Sequence, residues 1–568
     1  MKYVYEFFVK GLAFWKPILH NSAVCSEHRR MSARSALEEI FMGKHRVYQI
    51  FAGIVWALML AAEAAAFLLL WRTHMFPRTY LVMGLVLMGC IWLLTGVLLF
   101  YMGTRKGRLS RAIRRICGFL IAIVVCAGCL YGGHAAWSIR NTVDNVTRDE
   151  NTVNRVSMMV YVPMDSEVVG LENLKDAAFS VPSSFELKNT QFALSQIAQV
   201  LGQEPRTQSY PTPAAMLRAM ENGDTEAMVI NQVYLDLLEL VDEYSDLYER
   251  IRLIKEFEIE DLEDSHPTWI PEPVAPATGE NGETRPVSDD TPAEVPTQEI
   301  VEVDTEDVDV THDGFIIYLG GSDTRTSYLP ERTRNDVNIL MAVNPVTKKI
   351  QLVTTARDAY VPNPAGGGAL DKLTHCGIYG VSNSVRALSS LYEVPISYFA
   401  QINFSGVETL VDAVGGVDVY SDLSYSALGT WIDEGWNHLN GAQALSFARE
   451  RYNPAVGDAG RARNQMKVIT AILNKATSGT TLLSNYSQIL SSLSGMFRTD
   501  MSAEEIASLV RMQLTDMSGW DISSYSMSYS ADWGVTYSMP GYELWIARPD
   551  YSDVAYIHDL LMNVINGN

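Results

Sequence analysis

Three long apolar runs near the start of the chain dominate its pattern of hydrophobic and polar positions. They cover about Val47–Trp71, Thr79–Met102 and Ile116–Trp137, and each reaches the ~20 residues that a helix needs to cross a hydrocarbon core. The first run begins too late and is too long for a cleavable signal peptide. The pattern therefore predicts an N-terminal segment over residues 1–46 and three transmembrane helices within residues 47–137.

Two later stretches alternate short strand-like runs with amphipathic helical runs. Residues 150–262 begin with a strand-like run at Val156–Val162 and end with the spacing of a long helix at Val233–Glu256. Residues 314–567 repeat the alternation over a longer range. Strands that alternate with helices are typical of a sheet covered by helices. We therefore predict an α/β protein, with a small α/β accessory module at 150–262 and a C-terminal α/β sandwich with a mixed central sheet at 314–567.

The stretch between these two units, residues 263–312, has a different composition. Seven prolines lie among Glu, Asp, Thr and Ser, and Arg285 is the only lysine or arginine between Glu256 and Asp313. Such a segment buries too little apolar surface to offset the entropy of ordering it, and its like charges repel one another. It is predicted to be an acidic, proline-rich linker.

Charge gives the membrane segments a direction and excludes one class of function. The chain has a formal net charge of −22, which argues against nucleic-acid binding. Lysine and arginine concentrate in residues 1–46 and in the second loop, from Arg105 to Arg115. Since basic loops stay in the cytoplasm, the N-terminus is predicted to be cytoplasmic, and everything after the third apolar run is predicted to be extracytoplasmic.

Several common kinds of catalytic site are missing from the sequence. Of the six cysteines, only Cys376 lies beyond the apolar runs, which excludes a disulfide framework in the later part of the chain. No GxxxxGK[ST] phosphate loop, GxSxG elbow or zinc-type Cys/His spacing occurs. His375 and His438 have no nucleophile at a suggestive spacing, so both are interpreted as structural.

Aromatic residues are frequent near the C-terminus and allow two interpretations. They are Trp520, Tyr525, Tyr529, Trp533, Tyr537, Tyr542 and Trp545. Such rings could stack on sugars, but packing in a core or on a strand is the simpler interpretation.

Charged residues of the C-terminal domain cluster where its predicted strands begin and end. Loops at strand ends converge on one edge of an open α/β sheet. Arginines offer paired contacts to phosphate oxygens, and Mg²⁺ takes one or two carboxylates together with substrate phosphates. The set therefore predicts a pyrophosphate site with a divalent cation, although plain surface ion pairs would give the same pattern. Its members are Asp323, Arg325, Arg334, Asp336, Arg357, Asp358, Asp371, Lys372, Arg449, Arg451, Asp458, Arg461 and Arg463.

Seven short motifs follow one another through the same domain. They run from Gly320 to Arg325, Arg334 to Leu340, Ala356 to Val361, Asp371 to Gly380, Phe404 to Val419, Leu439 to Arg451 and Gly457 to Gln465. In this order they resemble the LytR-CpsA-Psr family, strongly over residues 314–480 and weakly beyond. With three membrane helices and an intervening α/β module, the chain is similar to the capsule-linked branch of that family.

The resemblance implies an enzyme of the Gram-positive cell envelope. Such proteins transfer a glycopolymer, which is capsule, teichoic acid or another wall polysaccharide, from an undecaprenyl-pyrophosphate carrier to peptidoglycan. A phosphodiester forms with N-acetylmuramic acid and lipid monophosphate leaves. The implied partners are the polyprenyl-pyrophosphate-linked glycopolymer, peptidoglycan and the membrane. Two alternatives stay open: a hydrolase that uses water as the acceptor at the same site, and a non-catalytic sensor of the lipid-linked precursor.

The motifs also imply roles for individual residues. Asp323 and Asp336 match carboxylates associated with Mg²⁺ (or Mn²⁺). Catalysis is assigned to these two and to Arg334 and Arg357. Pyrophosphate binding is implied for Arg334, Arg357, Lys372, Arg449, Arg451, Arg461 and Gln465.

The sequence offers two candidates for the general base and departs from the family pattern at two positions. Either Asp336 or Asp458 could accept the proton of the incoming hydroxyl group. Many members of the family have proline where this chain has Ala356. Many have arginine where this chain has Asn464, and Arg463 stands one place earlier, which makes a ligand role for Arg463 uncertain.

Overall fold

A computed structural model of the chain forms two compact units, the first made of the N-terminal helices and the second of nearly everything from Ala135 onward. The residues that it describes are 27–72, 78–100, 108–146, 155–183, 185–239, 241–260, 284–286, 295–305, 307–322, 324, 328–450, 457–477, 489 and 492–568.

Three helices make up the first unit. They are α1 (Glu27–Arg72), α2 (Arg78–Phe100) and α3 (Arg108–Val146). Each contains a stretch long and apolar enough to cross a membrane, namely Val47–Arg72, Arg78–Phe100 and Ala112–His134, which agrees with the three predicted spans. Trp56 of α1 stacks on Trp92 of α2 with ring centroids 3.9 Å apart. Each indole N–H also donates to the other residue's carbonyl oxygen, at 3.0 and 3.3 Å, so the pair ties α1 to α2.

The accessory module is a five-stranded sheet with helices packed on it. Its elements are β1 (Arg155–Pro163), β2 (Ala178–Pro182), α4 (Leu187–Leu201), β3 (Arg206–Tyr210), α5 (Pro213–Glu221), β4 (Ala227–Asn231), α6 (Gln232–Leu238), α7 (Leu247–Arg250) and β5 (Ile251–Glu260). The strand order is β3-β2-β4-β1-β5. β2 runs parallel to β3 and β4, whereas β1 is antiparallel to β4 and β5. The predicted α/β module is therefore present.

One predicted element of the module, a long helix over Val233–Glu256, is wrong. The helix α6 ends at Leu238, and residues 251–260 form strand β5, which pairs with the whole length of β1. The reason lies in the local pattern, because Glu256, Phe257, Glu258 and Ile259 alternate between polar and apolar with the period of a strand. Pairing with β1 then overrides the helical propensity of the preceding residues.

The C-terminal domain contains the remaining elements. They are β6 (Thr284–Pro286), β7 (Phe315–Ser322), β8 (Asn335–Asn344), β9 (Lys349–Thr354), β10 (Tyr360–Pro362), β11 (Leu370–Lys372), α8 (Leu373–Cys376), α9 (Val381–Tyr392), β12 (Tyr398–Asn403), α10 (Phe404–Ala413), β13 (Val417–Ser421), β14 (Tyr425–Ala427), β15 (Thr430–Ile432), β16 (Gly435–Leu439), α11 (Gly441–Arg449), α12 (Gly457–Thr477), β17 (Phe497–Thr499), α13 (Ala503–Asp516), β18 (Asp521–Ser526), β19 (Tyr529–Thr536), β20 (Met539–Pro549) and α14 (Tyr551–Ile565).

A six-stranded mixed sheet forms the centre of this domain. Its order is β17-β12-β7-β8-β9-β18. β7 is parallel to β12 and β9 is parallel to β18, while β8 lies antiparallel between β7 and β9. Apolar side chains of α9 and α14 pack on one face, and those of α12 and α13 on the other. The predicted α/β sandwich with a mixed central sheet is confirmed.

The predicted linker over residues 263–312 differs from the structure at its C-terminal end. Pro296 accepts a hydrogen bond at its carbonyl oxygen from the Leu370 N–H at 2.8 Å, and the Gln298 N–H donates to the Gly368 carbonyl at the same distance. Val310 is buried in the domain core. These contacts supply the backbone partners and apolar burial that composition alone did not foresee, so residues 295–305 and 307–312 lie against the domain.

The accessory module and the C-terminal domain share one hydrophobic core. Buried residues of the module, including Met216, Tyr234 and Leu238, belong to the same cluster as Tyr379 and Leu544 of the domain. Clusters of this kind usually mark the interior of one folded body. The module is therefore packed on the domain and is not a separate spacer.

Close packing of α10 against α11 gives a first testable prediction. A side chain at Gly441, the first residue of α11, would collide with the carbonyl oxygen of Glu408 in α10. We expect Gly441→Ala to destabilise the domain by about 1–3 kcal/mol, the usual cost of overpacking, in thermal or urea unfolding. Gly519→Ala is the matched control, because a methyl group there meets open space. Equal unfolding midpoints for the two variants would contradict the prediction.

Candidate functional site

The direction of the strands explains why the charged motifs meet. β7, β9 and β18 all end at one edge of the central sheet, and β8, which runs antiparallel to β7 and β9, begins there. Arg334 and Asp336 at the start of β8 therefore lie beside Arg357 and Asp358, which follow β9. The sequence predicts that these charged residues meet at one edge of the sheet. In the structure they meet because β8 is antiparallel to β7 and β9.

Arg357 is the centre of the charged network. Its Nη1 donates to both carboxylate oxygens of Asp336, at 3.2 and 3.0 Å. Its Nε donates to Asp358 Oδ2 at 3.3 Å, and Lys372 Nζ lies 2.9 Å from the other oxygen of Asp358. These side chains are all less than a fifth exposed. The two carboxylates and two cations thus form a nearly buried chain of alternating charge.

The same network sets the pKa values of the two carboxyl groups. Burial alone would raise the pKa of Asp336, but the positive charges of Arg357, Arg334 and Arg461 outweigh it and lower that pKa below its ordinary value. Burial likewise opposes ionisation of Asp358, and Lys372 and Arg357 lower its pKa. Both carboxylates are therefore ionised at neutral pH.

A cavity of about 230 Å³ opens beside this network. Its charged and polar lining includes Asp336, Arg357, Asp358, Arg461, Arg463 and Gln465. The last three come from the first turns of α12. Met527, Tyr529 and Trp545 also line it, from the segment after β18 and from β19 and β20. The structure therefore brings Asp336, Arg357, Arg461 and Gln465 to one cavity, as the sequence predicts.

Arg334 is placed differently from these residues. It is buried, and its Nη1 donates to the backbone carbonyl oxygen of Asp236 in the accessory module at 3.0 Å. Its charge still acts on Asp336. Arg334 therefore connects the site to the module, a contact that no local sequence pattern reveals.

Lys372 and Arg449 contribute from outside the cavity lining. Lys372 pairs with Asp358, so it stabilises the carboxylate that holds Arg357. The guanidinium of Arg449 lies 4.3 Å from the centre of the Phe404 ring, a cation–π contact. Pyrophosphate binding by either residue stays a prediction. Asp323 and Arg451 lie outside the described residues, as do Arg325 and the side chain of Asp458.

Asp371 has a structural role. It is fully buried and accepts hydrogen bonds from the Asn363 side chain at 3.1 Å, from the Lys372 N–H at 2.8 Å, and from the N–H and hydroxyl group of Ser538. His375 Nδ1 lies 2.8 Å from Oδ1, the oxygen that also accepts from the Lys372 N–H. Because every one of these partners is internal, Asp371 and His375 brace the loop that carries Lys372, and they do not face the cavity.

The departure at Asn464 also has a structural explanation. Its side chain is buried and donates to the hydroxyl group of Tyr425 at 2.9 Å and to the carbonyl oxygen of Phe447 at 3.1 Å. An arginine would not fit these contacts. The neighbouring Arg463 is exposed and lines the cavity, so the structure places this arginine at the site.

Sequence reasoning missed two aromatic members of the site, Tyr529 and Trp545. For both rings the sequence leaves sugar stacking and packing open, with packing the simpler interpretation, and only their position next to Arg357 and Arg461 distinguishes them. The available signal was positional: Tyr529 follows β18, a strand that ends at the same edge as β9. This position could be recognised only from the pairing of β18 with β9, two strands that lie more than 150 residues apart in the sequence.

The carboxylates at the cavity supply part of the ligand set that a hard divalent cation needs. Within the described ranges, which do not include Asp323, no group of three or more His, Cys, Asp or Glu side chains is placed to hold a metal ion. Asp336 nevertheless presents an ionised carboxylate at the cavity. One or two carboxylates with substrate phosphates suffice for Mg²⁺, so the described residues fit such an ion as one protein ligand.

Comparison with known protein families identifies the domain that contains this cavity. Residues 282–544 match the model of the LytR_cpsA_psr family, and the match includes every described residue of the charged network. The chain carries a LytR-CpsA-Psr domain. The resemblance drawn from the seven motifs is thereby confirmed.

Individual relatives match a smaller part of the chain. The chain is 38% identical over 193 residues to a protein of Enterococcus faecalis named polyisoprenyl-teichoic acid–peptidoglycan teichoic acid transferase TagU, a match that covers 34% of this chain and 63% of the relative. A Bacillus mycoides protein of the same name is 34% identical over 191 residues, covering 34% and 61%. The chain therefore spans less than two thirds of the length of these relatives.

Solved structures are similar to part of the chain. The Lin1025 protein of Listeria innocua is 27% identical, with a TM-score of 0.36, and covers 44% of this chain and 99% of its own. B. subtilis TagV is 20% identical, with a TM-score of 0.38, and covers 45% and 98%.

Proposed function

We propose that this protein transfers a phosphate-linked glycopolymer from a polyprenyl-pyrophosphate carrier to peptidoglycan. The observation that carries the proposal is the cavity of the LytR-CpsA-Psr domain, in which Arg357 and Arg461 face the same space as the ionised carboxylate of Asp336. Permanently charged arginines suit phosphate oxygens. Relatives that are named teichoic acid transferases support the same class of reaction.

The proposed reaction is a displacement at phosphorus. The hydroxyl oxygen of the acceptor, which we take to be the 6-hydroxyl of N-acetylmuramic acid, attacks the phosphorus atom next to the sugar and forms a new P–O bond. The P–O bond to the bridging oxygen breaks, and undecaprenyl monophosphate leaves with the electron pair. The hydroxyl proton passes to a base or to solvent. Sugar and acceptor are then joined by a phosphodiester.

Arg357 and Arg461 would stabilise the charge that builds up on the phosphate oxygens, which is the main route to catalysis of phosphoryl transfer. Asp336 would hold Arg357 in position through its two hydrogen bonds. Its lowered pKa makes it a weak proton acceptor, so we assign it to orientation and charge and not to general-base catalysis.

A divalent cation, Mg²⁺ or Mn²⁺, would supply further neutralisation of phosphate charge when bound, with Asp336 and Asp323 as its protein ligands. The remaining predicted ligands of the pyrophosphate would act around this core. Gln465 would bind the phosphates from the cavity lining, Lys372 would act through Asp358, and Arg334 would act through its charge on Asp336. Direct pyrophosphate binding by Arg449 and Arg451 stays a prediction from the family motifs.

The N-terminal helices would keep the domain close to its lipid substrate. We propose that the N-terminus is cytoplasmic and that the module and the LytR-CpsA-Psr domain are extracytoplasmic, because lysine and arginine concentrate before the first span and between the second and third. This places the cavity on the side of the membrane where peptidoglycan is found.

The test uses the full chain in detergent micelles. It is incubated with an oligosaccharide on polyprenyl pyrophosphate and with peptidoglycan fragments, in Mg²⁺ or in EDTA, and the products are followed by mass spectrometry. We expect an adduct linked by a phosphodiester, formed faster in Mg²⁺. Release of free phospho-oligosaccharide without an adduct would instead show a hydrolase. Carrier binding without any product would indicate a sensor, and either result would contradict the proposal.

A further inference from the structure

The structure separates the late aromatic residues into those that pack and those that face the cavity. Tyr542 is buried in the shared core. The Trp520 indole donates to Gln513 at 2.9 Å, and the Tyr537 ring lies 5.9 Å from that of Tyr379. Tyr529 and Trp545, in contrast, line the cavity that holds Arg357 and Arg461. We refer to these two residues as the aromatic wall.

Backbone contacts hold the aromatic wall in this position. The Met527 N–H donates to the carbonyl oxygen of Thr354 at 3.0 Å, which places the start of β19 beside the end of β9. The Ala547 N–H donates to the carbonyl oxygen of Asp358 at 2.9 Å, and this fixes β20 next to the charged network. Both rings are therefore carried by elements that are bonded directly to the loop of Arg357.

The cavity thus has two chemically different kinds of lining. Arg357, Arg461 and Arg463 carry guanidinium groups, and the aromatic wall lines the same cavity. The rings of Tyr529 and Trp545 stand at 90° to each other with centroids 6.3 Å apart, and Tyr529 is 39% exposed. A ligand that fills this space must combine negative charge with a surface suited to aromatic rings.

We propose that the aromatic wall binds the pyranose ring next to the transferred phosphate. This inference rests on the proposed function and adds to it the residues that recognise sugar. A pyranose offers an apolar C–H face with hydroxyl groups around its edge. The aromatic wall matches the face, and Ser526 and Gln465, which line the same cavity, supply hydrogen-bonding groups for the edge.

A prenyl chain suits the aromatic wall less well. It would need a continuous apolar surface, whereas this cavity also exposes three arginines and two carboxylates. Burying those charges against a hydrocarbon chain would cost free energy without a compensating contact. The sugar can belong to the carrier-linked polymer or to the peptidoglycan acceptor, since the chemistry of a pyranose ring is the same in both.

The test compares ligands with and without sugar on the full chain in micelles. Binding is measured for polyprenyl pyrophosphate that bears a disaccharide, for the same lipid without sugar, and for a soluble peptidoglycan disaccharide-peptide. We expect Trp545→Leu and Tyr529→Leu to weaken one of the sugar-bearing ligands by about tenfold, a typical effect of losing an aromatic contact, and to leave the sugar-free lipid unchanged. Trp436→Leu is the control, because this residue is 74% exposed on β16 and does not line the cavity.

Each outcome has a distinct meaning. A loss confined to the disaccharide lipid or to the peptidoglycan fragment supports the proposal and identifies the source of the sugar. An equal loss for the lipids with and without sugar would show that the aromatic wall contacts pyrophosphate or prenyl groups, and no loss would show that it contacts no ligand; both overturn the inference. If Trp545→Leu fails to fold, the more exposed Tyr529→Leu decides. Because binding needs no turnover, a wild-type protein that binds sugar but transfers nothing would refute the proposed function alone.

Discussion

Replacing Arg357 with alanine should reduce glycopolymer transfer by on the order of 10²–10³-fold, the usual effect of removing a group that stabilises charge in the transition state. Arg357 contacts both Asp336 and Asp358 and lines the cavity. Its loss removes a phosphate contact and also leaves the two carboxylates facing a substrate of the same charge. The measurement is the initial rate of phosphodiester formation by the full chain.

Two further variants make this result interpretable. Arg357→Lys keeps the charge but cannot reach both carboxylates with a planar group, so we expect it to recover only part of the rate. Arg386→Ala removes an exposed arginine, 52% accessible and paired with Glu302, and should leave the rate within about twofold because surface pairs contribute little. A rate for Arg357→Ala close to that of Arg386→Ala would refute the assigned role.

The stability of Arg357→Ala should depend on pH in a defined direction. Arg357 lowers the pKa of Asp336, so the pair contributes stability that is present above the pKa of the unfolded chain. That contribution is lost as the pH falls through the lower value of the folded protein. The difference in unfolding free energy between wild type and variant should therefore be largest at neutral pH and shrink below pH ~4, which urea titrations at several pH values can measure.

The fold class and the meeting of the charged motifs could be predicted from the sequence, because both depend on the order of elements along the chain. Motifs placed before β8 and after β9 must meet once β8 lies antiparallel to β9, whatever the rest of the chain does. Arg461 and Gln465 were assigned through the family resemblance, and the start of α12 brings both to the cavity.

The position of Lys372 and that of the aromatic wall depend on contacts between distant segments. The pattern of apolar and polar residues within one segment does not predict such contacts. Lys372 pairs with Asp358 because Asp371 is braced by Ser538, a residue more than 160 positions later. The aromatic wall reaches Arg357 through the pairing of β18 with β9 and the hydrogen bond from Ala547 to Asp358. Pairing between distant segments also explains the incorrect helix at Val233–Glu256, since its last six residues belong to a strand that pairs with β1.

A buried carboxylate of the accessory module, Glu186, pairs with the LytR-CpsA-Psr domain. Its side chain is 2% exposed and lies 3.4 Å from Nη1 of Arg332, which belongs to the domain and is 11% exposed. Asn189, Asn231 and Tyr234 donate to the same carboxylate at 2.6, 3.4 and 3.3 Å. Together with burial, Glu186 raises the pKa of Tyr234 well above its ordinary value, so the tyrosine stays a hydrogen-bond donor.

Replacing Glu186 with alanine is expected to destabilise this unit by about 3–5 kcal/mol, the cost of leaving a buried charge without its partner. Glu302→Ala is the matched control, because Glu302 is 65% exposed in its pair with Arg386 and should cost at most about 1 kcal/mol. In urea unfolding, Arg332→Ala combined with Glu186→Ala should lose less than the sum of the single losses, because removing Arg332 also removes the unpaired charge. Strict additivity would mean that the two side chains do not interact.

The Glu186→Ala variant should also transfer glycopolymer more slowly at temperatures where it remains folded, because Arg334 donates to Asp236 of the same module. An unchanged rate would show that the contact between module and domain does not affect the reaction.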